Sequence, residues 1–310
     1  METGILIVHP GALGDVLQAV PALRGLRARA PGAPLVFAGQ PRLGHLLVAL
    51  GVVDEARSFD TLGLSTLFTD APVAEALVTL TARLPRVVSW FGSRDATYCA
   101  RLAALVTDPV IAAPVPDDDT PVWRHLVSTL HAWGIAAPVP TAPLPVAAPP
   151  AQRAALVVHP GSGGAWKQWP AERFAEVIHT VAKPRALPVV IHQGPADAAA
   201  VVALMSRLDV PAERLVEPDL PGLAAVLGAA RAYLGGDSGV SHLAAAVGAP
   251  SVILFPPATR QRWAPWSATA VPIEMTGAAD EVARVVREIE GRLRTEKPTA
   301  RGGLATDPTP

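Results

Sequence analysis

Residues 5–15 read ILIVHPGALGD, and residues 156–164 read LVVHPGSGG. In each, an apolar run ends in His-Pro-Gly, a loop of small residues follows, and a helical pattern begins. The copies lie about 150 residues apart, the size of an ordinary domain. Between them AAPVPTAPLPVAAPPAQRAA (136–155) is dense in Pro and Ala and reads as a linker. The chain is therefore expected to fold as two similar halves, residues 1–150 and 151–294. The remainder, 295–310, carries no periodic apolar pattern and is expected to be disordered.

Within each half, apolar runs alternate with helical patterns. ILIV leads to a helix near 15–29, PLVFAG to one near 41–50, and ALVVH to one near 171–182. LPVVIH leads to a helix near 196–208 and ERLVE to one near 221–230; a last amphipathic helix covers 279–294. Such alternation predicts an α/β fold with parallel sheets covered by helices on both faces. Ligands of such sheets bind beyond the carboxyl ends of the strands. Both His-Pro-Gly loops lie there. So does LGGDSGVSHLAAAVGAPSVILF (234–255), a strand–turn–helix–strand unit. Asp237 and Ser238 are favourable N-caps there, and Gly248 ends the helix. Free amides and the positive end of a helix dipole in such a turn favour a phosphate. Capping alone would also explain Asp237 or Ser238.

Composition narrows the choice. Half of the residues are hydrophobic and the formal net charge is −1, so there is no basic footprint for nucleic acid. The single cysteine, Cys99, excludes an internal disulfide framework and fits a reducing compartment. The start lacks the positive charge of a signal peptide, and no unbroken apolar run is long enough to span a bilayer. A cytoplasmic location is expected.

Four stretches carry candidate chemistry. GALGD (11–15) offers backbone close to a ligand and Asp15 where a helix begins; with Gln18, Asp15 also fits a capping box. HPGSGGAWKQWP (159–170) is a small-residue loop with one cation, Lys167, suited to a diphosphate. The third is the Asp-Ser-Gly turn with His242. The fourth is PPATRQRWAPW (256–266), rich in Arg and Trp. PDDDTP, with Asp117 and Asp119, reads as a solvated acidic loop rather than a metal site, and no metal is expected.

These segments, in this order, resemble glycosyltransferase family 9, the bacterial heptosyltransferases, through most of residues 4–290. ILIVHPGALGDVLQAVPALRGLRARAP resembles the family's opening strand, Gly-Asp turn and helix. HPGSGGAWKQWPAERFAEV is similar to its PGSG…K-x-WP-x-x-x-F segment, and GGDSGVSHLAAAVGAPSVILFPPATRQRWAP to its D-[ST]-G-x-x-H-x-A-A segment and following loop. The resemblance implies a GT-B fold, two Rossmann-like domains facing a cleft, with acceptor in the first half and an ADP-activated sugar in the second. It implies Asp15 as catalytic base. Ser162, Gly163 and Lys167 would serve as phosphate contacts, and Asp237, Ser238, Gly239 and His242 as the turn holding the sugar nucleotide. Asp197 is the one acidic residue of HQGPADAAA available for the ribose. Gly14 is placed on the acceptor side. His9 stands where the family usually has Arg or Lys, and Pro256 where Gly is common.

The implied reaction is inverting and metal-independent, without a cofactor. The acceptor would be lipopolysaccharide core or a related surface glycan. The chain is expected to be a monomer, peripheral at most at the inner face of the cytoplasmic membrane. Residues 1–150 hold 10 Arg, no Lys and 12 acidic residues. An acceptor with few charges is therefore expected, held by Arg94 with Trp90 or Phe91 as a stacking surface. Two other readings stay open at this level: a non-catalytic nucleotide-sugar binder, and a GT-B epimerase or phosphorylase.

Overall fold

The computed structural model describes residues 4–146 and 155–294. The boundary expected at 150/151 and the tail 295–310 lie outside these described residues. The first half runs β1 (Ile5–Val8), α1 (Leu13–Gln18), α2 (Val20–Arg29), β2 (Leu35–Gly39), α3 (Pro41–Ala49), β3 (Glu55–Ser58), α4 (Glu75–Arg83), β4 (Arg86–Ser89), α5 (Ala96–Leu105), β5 (Asp108–Ile111) and α6 (Val122–Ser128). The second runs β6 (Leu156–His159), α7 (Ala171–Ala182), β7 (Val189–Gln193), α8 (Ala198–Met205), β8 (Ala212–Val216), α9 (Leu220–Gly228), β9 (Ala232–Gly236), α10 (Gly239–Ala246), β10 (Ser251–Phe255), α11 (Arg260–Trp263), β11 (Ala270–Glu274) and α12 (Glu281–Arg294).

All pairings are parallel, in the orders β3-β2-β1-β4-β5 and β11-β10-β9-β6-β7-β8. Each sheet therefore starts in its middle, runs outward to one edge, then returns to the other side of its first strand. This is the doubly wound order, and its switch points lie between β1 and β4 and between β6 and β9. Loops diverge there and leave a crevice at the carboxyl ends. The central strands β1, β6, β9 and β10 are buried along their whole length, as parallel strands covered on both faces must be. The edge strands β3 and β8 carry Glu, Arg and partial exposure, which blunts further strand pairing.

Side-chain alternation along a strand sorts the core into layers. Leu6 and Val8 point to one apolar cluster, and Leu156 and Val158 to another. Ile5, Ile7 and Val157 point instead into a third cluster that both sheets share. It joins Leu17, Leu43 and Leu46 of the first half to Leu223, Leu243 and Trp266 of the second. The two halves thus meet through buried apolar surface.

The expected first helix is two helices. α1 begins at Leu13, two residues earlier than the sequence suggests, and the path breaks at Ala19, the N-cap of α2, which carries Pro21 in its first turn. Pro has no N–H to continue the α1 ladder.

Candidate functional site

Two helix N-termini abut where the halves meet. α1 follows the loop after β1, and α10 follows the turn after β9, so both present their amino ends beyond a sheet's carboxyl edge. Their approach is close because both carry glycine there. A Cβ at Gly239 would lie 2.9 Å from Leu13 Cβ and 3.2 Å from the Gly14 nitrogen; one at Gly14 would lie 3.1 Å from His242 Cδ2. The two sequence-predicted turns are thus brought to one place.

Asp15 occupies the third position of α1 and accepts a hydrogen bond from the Ala12 N–H at 2.9 Å. The expected capping box with Gln18 does not form. The helix starts too early for it, and Gln18 instead donates to the Trp263 carbonyl at 3.0 Å. His9 lies behind Asp15, 2 % exposed, with Nδ1 accepting from the Gly11 N–H at 3.3 Å. Burial pushes its pKa down to about 4, against the pull of the Asp15 charge. The position is therefore neutral at neutral pH.

Across the junction, Ser238 is the N-cap of α10 and accepts from the Ser241 N–H. Gly239 and Val240 sit where helix amides lack an intrahelical acceptor. Asp237 is buried, and its carboxylate accepts from Lys167 Nζ at 2.8 Å. Trp169 holds the Lys167 segment down. It is buried edge-to-face on Phe174 at 5.0 Å and donates through Nε1 to Glu281 at 2.7 Å. His242 Nε2 lies 3.9 Å from Asp237 Oδ1. Burial lowers the His242 pKa; the Asp237 and Asp15 charges oppose this and the Lys167 charge adds to it. The imidazole therefore sits within electrostatic reach of all three.

The space between the halves is a cavity of about 460 Å³. One end is formed by Ala12–Gly14, Ser162, Ser238 and Gly239. The other is formed by His159, His192, Asp197 and Glu217–Leu220, with Arg42 and His45 of α3 opposite. Ser162 turns its hydroxyl onto the Gly164 carbonyl at 2.7 Å and shapes the loop; Gly163 is exposed, with open space where a Cβ would stand. Asp197, at the His159–His192 end, is buried and accepts from the Gly194 N–H at 2.9 Å. It fills the place a Cβ at Gly161 would need, 2.0 Å from Oδ1. His159 and His192 approach Nδ1 to Nδ1 at 3.0 Å, and burial lowers both to about 4.

The expected acceptor surface is only partly present. Trp90 cannot stack on a sugar. It is 1 % exposed, packs edge-on against His9 and donates through Nε1 to Thr129 at 3.0 Å. Arg94 is open to solvent and pairs with Asp117 at 3.2 Å. Arg94 and Phe91 line a second cavity, about 500 Å³, with Phe68 and Val115 beyond β4 and β5. Each residue of the acidic loop is engaged: Asp117 with Arg94, Asp118 with the Thr120 N–H, and Asp119 with Arg262 at 3.5 Å. Among the described residues no group of three or more His, Cys, Asp or Glu is disposed to hold a metal ion.

The Arg- and Trp-rich loop latches the halves together. Trp266 donates through Nε1 to the Leu17 carbonyl at 3.0 Å. Sequence reading did not single out Arg42, His45, His192 or Glu217. His159 stood in view as the second His-Pro-Gly, but nothing local links it to His192, which lies on the neighbouring strand.

The sequence profile described as glycosyltransferase family 9 (heptosyltransferase) matches residues 123–288. No curated protein sequence matches at a significant level. The fold is similar to that of E. coli ADP-heptose lipopolysaccharide heptosyltransferase II, at TM-score 0.74 and 19 % identity over 94 % of this chain and 98 % of that one. It is also similar to E. coli heptosyltransferase WaaC with ADP, at TM-score 0.70 and 17 % identity over 93 % and 99 %. A family 9 glycosyl transferase from Veillonella parvula aligns at TM-score 0.72 and 17 % identity over 94 % and 98 %. These identities speak to the GT-B fold, whereas the profile spans more than half of the 310 residues, and on that match the chain belongs to glycosyltransferase family 9.

Proposed function

We propose that this glycosyltransferase moves a sugar from a nucleotide donor, ADP-heptose first among candidates, onto lipopolysaccharide core or a related surface glycan, with inversion and without a metal. The observation that carries the reading is the α1–α10 junction, where Gly14, beside Asp15 of one half, packs on His242 of the other, whose imidazole also feels the charges of Asp15 and of the Lys167–Asp237 pair. The structural neighbours named for ADP-heptose and ADP support the choice of donor.

In this reading the acceptor hydroxyl gives its proton to the Asp15 carboxylate as its oxygen attacks the anomeric carbon. The bond from that carbon to the diphosphate breaks on the opposite face, and its electron pair leaves with the diphosphate. Lys167 and the amides at the start of α10 meet the growing negative charge, already oriented by Asp237 and by the helix. Asp237 acts through Lys167, and His242 stays neutral and fills the junction. The acceptor lies on the first half, with Arg94 and Phe91 at its far end; Trp90 has no part in it. No described helix is long and apolar enough to cross a membrane. The reading places the chain in the cytoplasm, meeting a lipid-linked acceptor at the inner face.

The test is Asp15→Asn. Transfer from ADP-heptose should fall at least a thousandfold while ADP affinity, by calorimetry, stays within about twofold, because the donor lies on the other half. Loss of ADP binding would return Asp15 to a purely structural role. Activity should also survive excess EDTA, since the positive charge comes from Lys167 and a helix end; inhibition reversed by magnesium would reject the metal-independent step.

A further inference from the structure

The proposed donor pocket has two walls, and one belongs to the acceptor half. Passing along the carboxyl edge of the second sheet, Ser238 follows β9, Ser162 follows β6, Asp197 follows β7 and Glu217 follows β8. Three strand spacings separate the ends of this row, about 14 Å. A diphosphate occupies only the first part of that length, so the rest of the pocket suits a nucleoside. Opposite Glu217–Leu220 stands α3, whose Arg42 and His45 lie three residues apart on one exposed face while Leu43, Leu46 and Leu47 are buried.

Three observations single out this face. The residues lining the cavity include the carboxylates of Asp197, Glu217 and Asp219, but Arg42 is their one guanidinium or ammonium. Lys167 is already matched by Asp237. Among the described residues Arg42 has neither an ion-pair nor a hydrogen-bond partner, unlike Arg24, Arg27, Arg57, Arg86 and Arg94. Finally, α3 is held in place: the side chain of its N-cap, Gln40, donates to the Gly11 carbonyl at 3.0 Å, tying the first turn to the loop that leads into α1 and Asp15. A guanidinium left unpaired on a rigid element, lining the same cavity as these acids, is placed for an anionic ligand.

We propose that Arg42 and His45 bind the nucleotide of the donor, so that a nucleoside diphosphate is held between α3 of the first half and the α9 loop of the second. This rests on the donor assignment above and adds the acceptor half to it.

Calorimetric titration with ADP, UDP and GDP tests it. The comparison is between the unaltered chain, Arg42→Ala, Arg42→Ala/His45→Ala, Arg42→Lys and the control Arg57→Ala, a cation of the same half outside the cavity. The double variant should bind the preferred diphosphate at least about tenfold more weakly, as expected for losing a charge-assisted contact. Arg42→Lys should recover part of the loss, Arg57→Ala should show none, and melting without ligand should be unchanged. Equal affinity of the unaltered chain and the double variant would overturn the proposal, even if transfer were impaired, because the residues would then serve the acceptor. Failure of the unaltered chain to bind any of the three diphosphates would instead reject the donor site itself, and this inference with it.

Discussion

Lys167 and Asp237 form a pair that holds the fold and, in the proposed reaction, also meets the donor. Asp237 is almost fully buried and Lys167 about one-quarter exposed. Removing the lysine leaves a carboxylate in the interior without its partner, which costs more than the pair itself contributes. Lys167→Ala should lower stability by about 1–2 kcal/mol, less than for a wholly buried pair because water reaches the ammonium. Lys167→Ala/Asp237→Ala should recover part of that loss in urea unfolding, yet neither variant should show the full ADP-induced rise in melting temperature. A double variant less stable than Lys167→Ala would contradict the pairing. Asp15, Lys167, Asp237 and His242 could all be found in sequence, because each sits in a short segment whose turn is locally encoded. Trp90 could not. WFGSRD looks like a loop with a displayed aromatic, but Trp90 leaves β4 directly under α6. Its cover, Thr129, is 39 residues away. Arg42 was missed for the opposite reason: nothing in PRLGHLLVAL marks its one arginine as lining a cavity shared with the other half of the chain.

Among the elements, the α1–α10 junction has little room to spare. The Cβ of Gly239→Ala would press on the backbone of Gly14 as well as on Leu13, and neither can rotate away. Overpacking of this kind costs about 1–3 kcal/mol, and here it also separates Asp15 from the turn proposed to hold the donor. Gly239→Ala should therefore lose both stability and turnover, whereas Gly163→Ala, with nothing within 4 Å of the new methyl, should melt as the unaltered chain does. Equal melting of all three would show that the helices have room to give. Periodicity revealed α7 and α12 well, because their apolar stripes answer to one sheet. It placed the start of α1 two residues late, because Ala12 has no side-chain cap and the first turn is stabilised from within by Asp15.

For the molecule as a whole, buried imidazoles set a pH limit. His9, His159 and His192 are all held neutral, with pKa values near 4 against an ordinary 6.5, chiefly because burial penalises the charged ring. The unfolded chain takes up these protons first as pH falls. Stability present above about pH 6.5 should therefore be lost progressively between there and about pH 4, at up to about 1.4 kcal/mol per pH unit for each ring. Melting temperatures measured from about pH 7 to about pH 5 should fall steadily, and His159→Asn/His192→Asn should flatten the curve; an unchanged slope would mean that the pair is solvated.

The apolar cluster common to both sheets reaches from Ile7 through Leu46 to Leu223, Leu243 and Trp266. Neither half carries enough of this cluster to close it alone, so the second half expressed as a fragment would expose the inner faces of α9 and α10 and aggregate. Calorimetry of the whole chain should accordingly show one unfolding transition rather than two. Exchanging second halves between members of the family would have to carry α1 along as part of the transplant, and the residue proposed as base travels with it.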